Sequence, residues 1–169
     1  MIFRLIPFTI ALCVFGLGCS ASELNDTSSE SPTPQETVAA KQGQMLPIDA
    51  IAILGGEEIE LEVTRTPEQQ ALGLMFRENL PDNRGMLFRF DPPQEVNFWM
   101  MNVKISLDMI FLREGKIVAI ARDVPPCKSE PCPTYGPPQP IDRVIELRGG
   151  RAEELGLGEG DSVVIDFKH

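Results

Sequence analysis

From residue 44 to the C-terminus, apolar side chains recur mostly at every second position, the period of a strand with one face in a core. Ile59, Leu61 and Val63 alternate with Glu58, Glu60, Glu62 and Thr64, and Gly55-Gly56 before them predicts a tight hairpin turn from a preceding strand, Ile51–Leu54. The same reading predicts strands at Gly85–Phe90, Val96–Met101, Asp108–Arg113, Lys116–Asp123, Arg143–Leu147 and Ser162–Phe167, with Glu114-Gly115 as a second tight turn. Two short helices interrupt the strands. Thr66-Pro67-Glu68-Gln69 offers a capping hydroxyl, a proline at the first helical position and a Gln that completes a capping box, so a helix is expected from Pro67 to about Leu74. Gly149-Gly150 opens another, Arg151–Leu155, which Gly156 closes. Many short strands with two short helices predict an α+β domain whose sheet is closed or nearly closed into a barrel-like form.

The pattern changes before residue 44. Residues 1–18 carry one basic residue, Arg4, then the apolar run Leu5–Leu17, then small residues. That run is too short for about 30 Å of hydrocarbon and has the form of a secretory signal peptide. Gly18-Cys19-Ser20 resembles a bacterial lipobox, with Cys19 as the lipid-modified residue, although Gly16 holds the place usually taken by Leu. Ordinary cleavage after Ala21 is the alternative. Residues 19–43 are rich in Ser, Thr, Glu and Pro and hold no aromatic side chain, so they read as a disordered tether with a reach of roughly 25–30 Å. Residues 44–169 remain for one domain, which fits a chain of 169 residues. The expected location is the cell envelope, on the periplasmic side, with membrane contact only through a lipid anchor.

Composition narrows the function classes. The net charge of −10 and the absence of a basic run argue against nucleic-acid binding, which needs phosphate neutralisation. The one histidine is His169, the last residue, so imidazole-based metal sites and Ser/His/Asp triads have no material. Met75, Met86, Met100, Met101 and Met109 sit in apolar patterns and read as core filler rather than a soft-metal site. Glu57, Glu58, Glu60 and Glu62 read as the solvated face of one strand, and no loop has the spacing of a calcium cage. No cofactor or metal is expected.

Cys127 and Cys132 bound a short loop within Pro125–Pro140, a segment with seven prolines. In an exported chain the expected state is a disulfide. A redox-active pair would need a thiol activated at a helix N-terminus, and a metal site would need further ligands. Arg77, Trp99, Asn102 and Asp108 supply a guanidinium, an indole, an amide and a carboxylate around two apolar strands, the groups that line a pocket for a small polar ligand. The competing reading makes Asp108 and Asn102 partners of turn backbone and pairs Arg77 with Asp108 or Glu62. No set of base, nucleophile and orienting group assembles from these residue types.

Several of these segments occur in a familiar order. Thr64-Arg65-Thr66-Pro67-Glu68-Gln69-Gln70-Ala71-Leu72-Gly73-Leu74-Met75-Phe76-Arg77 is followed by Gly85-Met86-Leu87-Phe88, Phe98-Trp99-Met100-Met101-Asn102 and Ser106-Leu107-Asp108-Met109-Ile110-Phe111. Val144-Ile145-Glu146-Leu147, Gly149-Gly150 and Gly160-Asp161-Ser162-Val163 complete the series. Together they resemble the DUF192 family, a bacterial and archaeal domain of unknown function, over Ile53–Phe167. Ser106 departs from the family's usual proline. The resemblance implies a small β-rich domain, often exported, and carries no activity with it. The expected function is a non-enzymatic, tethered domain that binds a small ligand or a protein partner in the envelope. Two alternatives stand beside it: an envelope enzyme acting on a polar saccharide or peptidoglycan-like substrate through Asp108 with Arg77, and a purely structural accessory protein.

Overall fold

The computed structural model describes residues 43–168. The signal peptide, the greater part of the tether and the lipidation of Cys19 lie outside the described residues. The elements, in chain order, are β1 (Ile48–Leu54), β2 (Glu57–Val63), α1 (Pro67–Leu72), β3 (Arg84–Gln94), β4 (Phe98–Trp99), β5 (Leu107–Arg113), β6 (Lys116–Val124), β7 (Thr134–Tyr135), β8 (Ile141–Arg148), α2 (Arg151–Glu154) and β9 (Val164–Phe167). Seven strands form one mixed sheet in the order β6-β5-β8-β3-β2-β1-β9, and β4 pairs with β7 in a separate two-stranded ribbon.

Local chemistry accounts for the sharp corners. Gly55 and Gly56 both have positive φ, 58° and 86°, so the β1–β2 hairpin takes the turn whose twist matches its strands. A Cβ on Gly55 would also lie 2.2 Å from the Leu155 carbonyl oxygen, so this position excludes any side chain twice over. Thr66 and Gln69 form the expected capping box of α1. The helix stops at Leu72, two residues early, because Gly73 turns to a φ of 46° and delivers Leu74 into the core.

Both faces of the central strands are buried. Ile59, Leu61, Leu87, Ile110, Ile145 and Leu147 belong to one apolar cluster, with Ala152 and Leu155 of the α2 region over them. Met86, Phe88, Leu107, Met109, Phe111 and Val144 belong to a second, on the opposite face. This explains why Leu107–Leu112 reads as an unbroken apolar run apart from Asp108: alternate residues serve different cores.

The sheet does not close into a barrel, which corrects the expected form. β6 and β9 are its edges, and among the described residues the one bridge between β6 and the chain leading to β9 is Lys116–Ser162. Residues of the loop 158–163 bond the β5–β6 turn, with Ile117 N–H donating to Asp161 O at 2.9 Å and Val163 N–H donating to Gly115 O at 2.8 Å. A loop, not a strand ladder, covers that edge. The strand expected at Val96–Met101 contracts to Phe98–Trp99, because its one strand partner among the described residues is the two-residue β7. β7 itself lies in the proline-rich segment, where no strand was predicted.

Candidate functional site

Topology decides where the side chains of β8 point. β8 runs between β3 and β5, and in register Glu146 stands directly between Met86 and Met109. Its neighbours Ile145 and Leu147 enter the first core, so Glu146 enters the second, beside the row Phe88, Val144 and Phe111. Glu146 is 4% exposed, and its Oε2 has no hydrogen-bond partner. Burial without compensation pushes its carboxyl up to about 8, so the group is mostly protonated at neutral pH.

A cavity of about 420 Å³ opens above this carboxyl. The α1 region forms one wall with Gln70, Ala71, Gly73, Leu74 and Met75. Phe88 and Phe90 of β3 form another, and Phe98, Trp99 and Val103 form a third. Phe98 meets Phe88, Phe90 and Phe111 edge to face, with ring centroids 5.0, 6.5 and 6.1 Å apart, which fixes the position of the wall. That wall is braced from behind. Tyr135 of β7 pairs with Phe98, and Cys127 N–H donates to the Met100 carbonyl at 3.2 Å. Cys127 and Cys132 form a disulfide with Cα atoms 5.7 Å apart, closing the loop that leads into β7.

The four residues expected to share a pocket are dispersed. Trp99 alone lines the cavity above Glu146, on its rim and 49% exposed. Arg77 is paired with Glu62 in a buried ion pair beside a second cavity of about 390 Å³, and its Nε has no partner. Asn102 occupies a turn at a φ of 59°, where its carbonyl accepts from Phe76 N–H at 2.9 Å and its Nδ2 lies 4.0 Å from the Met75 sulfur. Asp108 has no exposed surface and accepts three backbone N–H groups: Asp123 at 2.6 Å, Gly150 at 3.1 Å and Ala152 at 2.6 Å. It therefore caps α2 from a distant strand, since Gly150 has no side chain to do so. Ile110 and Leu112, on the Asp108 side of β5, lie in the first core, whereas Glu62 and Arg77 lie with Met86 on the other face. Asp108 and Arg77 do not meet.

Glu146 is the residue that the sequence reading passed over. Its signal was present: a single carboxylate inside Val144-Ile145-Glu146-Leu147. Among the described residues no group of three or more His, Cys, Asp or Glu is placed to hold a metal ion.

Two solved structures resemble this fold. One, from Novosphingobium aromaticivorans DSM 12444 and described as a protein of unknown function, is 30% identical with a TM-score of 0.62, over 76% of this chain and 99% of the other. The other, from Sinorhizobium meliloti 1021 and provisionally described as a transcription regulator, is 29% identical with a TM-score of 0.60, over 68% of this chain and 90% of the other. No functionally curated protein matches the chain. The family model of DUF192, described as an uncharacterized ACR, matches residues 50–165, which take in all the central strands and every wall of the cavity. The chain belongs to the DUF192 family.

Proposed function

We propose that this chain is an exported domain, tethered to the cell envelope through a lipidated Cys19, that binds a small molecule with an apolar body and one polar group in the cavity above Glu146. The observation that carries this reading is the buried Glu146 side chain, its Oε2 without a partner, among the residues that line the cavity. Leaving a buried carboxyl oxygen without a partner costs about 1–3 kcal/mol, and an apolar residue at this core position would avoid that cost. A ligand group that bonds the carboxyl removes the penalty only in the bound state. The cavity volume lies within the roughly 300–1,000 Å³ of small-molecule sites, and its walls are mainly apolar and aromatic. A binding role fits better than an enzymatic one. The other ionisable side chain in the lining, Glu95, is exposed, and the saccharide-acting alternative rested on Asp108 with Arg77, which lie apart.

The test is a ligand-observed NMR screen of small aromatic and alicyclic compounds against the wild type and Glu146→Leu. Compounds that bind the wild type and are lost by a folded Glu146→Leu protein support the reading. Binding that survives the substitution places the ligand elsewhere and refutes it. The tether is tested separately: Cys19→Ser should move the protein from the membrane fraction to the soluble one or leave it unprocessed, whereas a wild type recovered soluble with Ser22 at its start refutes lipidation.

A further inference from the structure

We propose that the ligand of the Glu146 cavity is an organic amine, carried on an apolar or aromatic body and bound as its ammonium ion against the Glu146 carboxylate. This deepens the binding reading above and rests on it. Three features of the cavity select a cation. Its lining holds two ionisable side chains, Glu146 on the floor and Glu95 at the mouth, both acidic, and no Lys or Arg. Four aromatic rings, Phe88, Phe90, Phe98 and Trp99, line the walls, and ring faces attract ammonium groups. The chain carries a net charge of −10, which raises the local concentration of cations and repels carboxylate ligands. Stoichiometry agrees. A neutral acceptor takes only the one O–H that protonated Glu146 offers, whereas an ammonium brings three donors for the carboxylate oxygens and for the side-chain carbonyls of Gln70 and Asn97 in the same lining.

The proton balance gives the proposal a signature. Glu146 is mostly protonated in the empty site at neutral pH, and the amine is already an ammonium in water. Forming the ion pair therefore sends the Glu146 proton to solvent, up to one for each ligand bound. No covalent bond changes. The other charges near Glu146 leave this exchange to it alone. The strands beside it present Met86 and Met109. The Glu62–Arg77 pair on the same face is mutually neutralised. Lys104, next to wall residue Val103, is paired with Glu78 at 2.8 Å. Glu95 at the mouth is exposed to solvent.

The experiment is isothermal titration calorimetry of the full-length protein with benzylamine, benzyl alcohol and phenylacetate, in two buffers of different ionisation enthalpy, from pH 5.5 to 7.5. Benzylamine should bind at least tenfold more tightly than benzyl alcohol, with phenylacetate weakest. Its affinity should rise up to tenfold per pH unit, with up to one proton released. Glu146→Gln should abolish both the preference and the proton release. If benzyl alcohol binds as well as benzylamine and no proton is released, the amine proposal falls while the cavity reading stands. If none of the three binds, both fall.

Discussion

The carboxyl of Glu146 makes stability depend on pH in an unusual direction. In the unfolded chain it ionises near 4.5, and in the folded protein burial holds the proton until about 8. Between these values the folded state binds more protons than the unfolded state, so stability falls as pH rises. No penalty exists below about 4.5, the penalty grows through the window, and it is constant above about 8. The slope is at most about 1.4 kcal/mol per pH unit, which gives about 3–5 kcal/mol across the window. That is a large share of the roughly 5–15 kcal/mol that separates folded from unfolded domains. The carboxylates held below their ordinary range lie outside this window: Glu68 by a backbone N–H and the Thr66 side chain, Glu78 by Lys104, Asp82 by Arg148, and Glu154 by Arg148 and Arg151.

The perturbation that isolates the effect is Glu146→Gln, which keeps the shape of the protonated acid and cannot ionise. Urea denaturation of both proteins at pH 5, 6, 7 and 8, with the disulfide intact, gives the difference directly, because every other titrating group cancels. At pH 5 the two should be nearly equal. By pH 8 the Gln variant should be more stable by a few kcal/mol. A difference that stays constant within about 0.5 kcal/mol from pH 5 to 8 would refute the placement of Glu146 in a buried, unpartnered site.

Three further outcomes follow from the same geometry. Asp108→Asn should lower stability by about 1–3 kcal/mol in denaturant titrations, because an amide oxygen replaces a carboxylate under three N–H groups; a melting temperature at or above wild type would contradict its capping role. Arg77→Met should cost about 3 kcal/mol or more by leaving the buried Glu62 charge with the Leu46 N–H, 2.7 Å from its Oε2, in place of a counter-ion, and adding Glu62→Leu should recover part of that loss. Cys127→Ser should cost about 2 kcal/mol without abolishing folding, because the loop it closes is short; the mass of the native protein checks the bond itself.

What the sequence disclosed depended on how local the cause was. The β1–β2 hairpin and the start of α1 are written in neighbouring residues, Gly55-Gly56 and Thr66 to Gln69, and both form as read. Closure of the sheet is not local. It depends on whether β6 and β9 pair, and no pattern within either strand records that. β4 and β7 are held by each other and by the disulfide loop, so neither has the length that a period needs to show itself. The candidate site failed for a related reason. In Val144-Ile145-Glu146-Leu147 the glutamate reads as the solvent-facing member of an alternating strand. Only the central place of β8, covered on both faces, turns that position into a cavity floor.

That central sheet holds three buried acids, and the comparison among them singles out one. Glu62 sits on β2 and is answered by Arg77. Asp108 sits on β5 and is answered by three backbone amides. Each is burdened by the same desolvation, and in each the fold has supplied a partner that offsets it. Glu146, one strand from Asp108 and two from Glu62, has the same burial and no partner for its Oε2. If carboxylates were kept in this sheet only for packing or register, the third would be expected to follow the first two. Its missing partner coincides with the place where the core opens into a cavity wide enough for a small molecule. The compensation that the chain provides for Glu62 and Asp108 is, at Glu146, left for a ligand to bring.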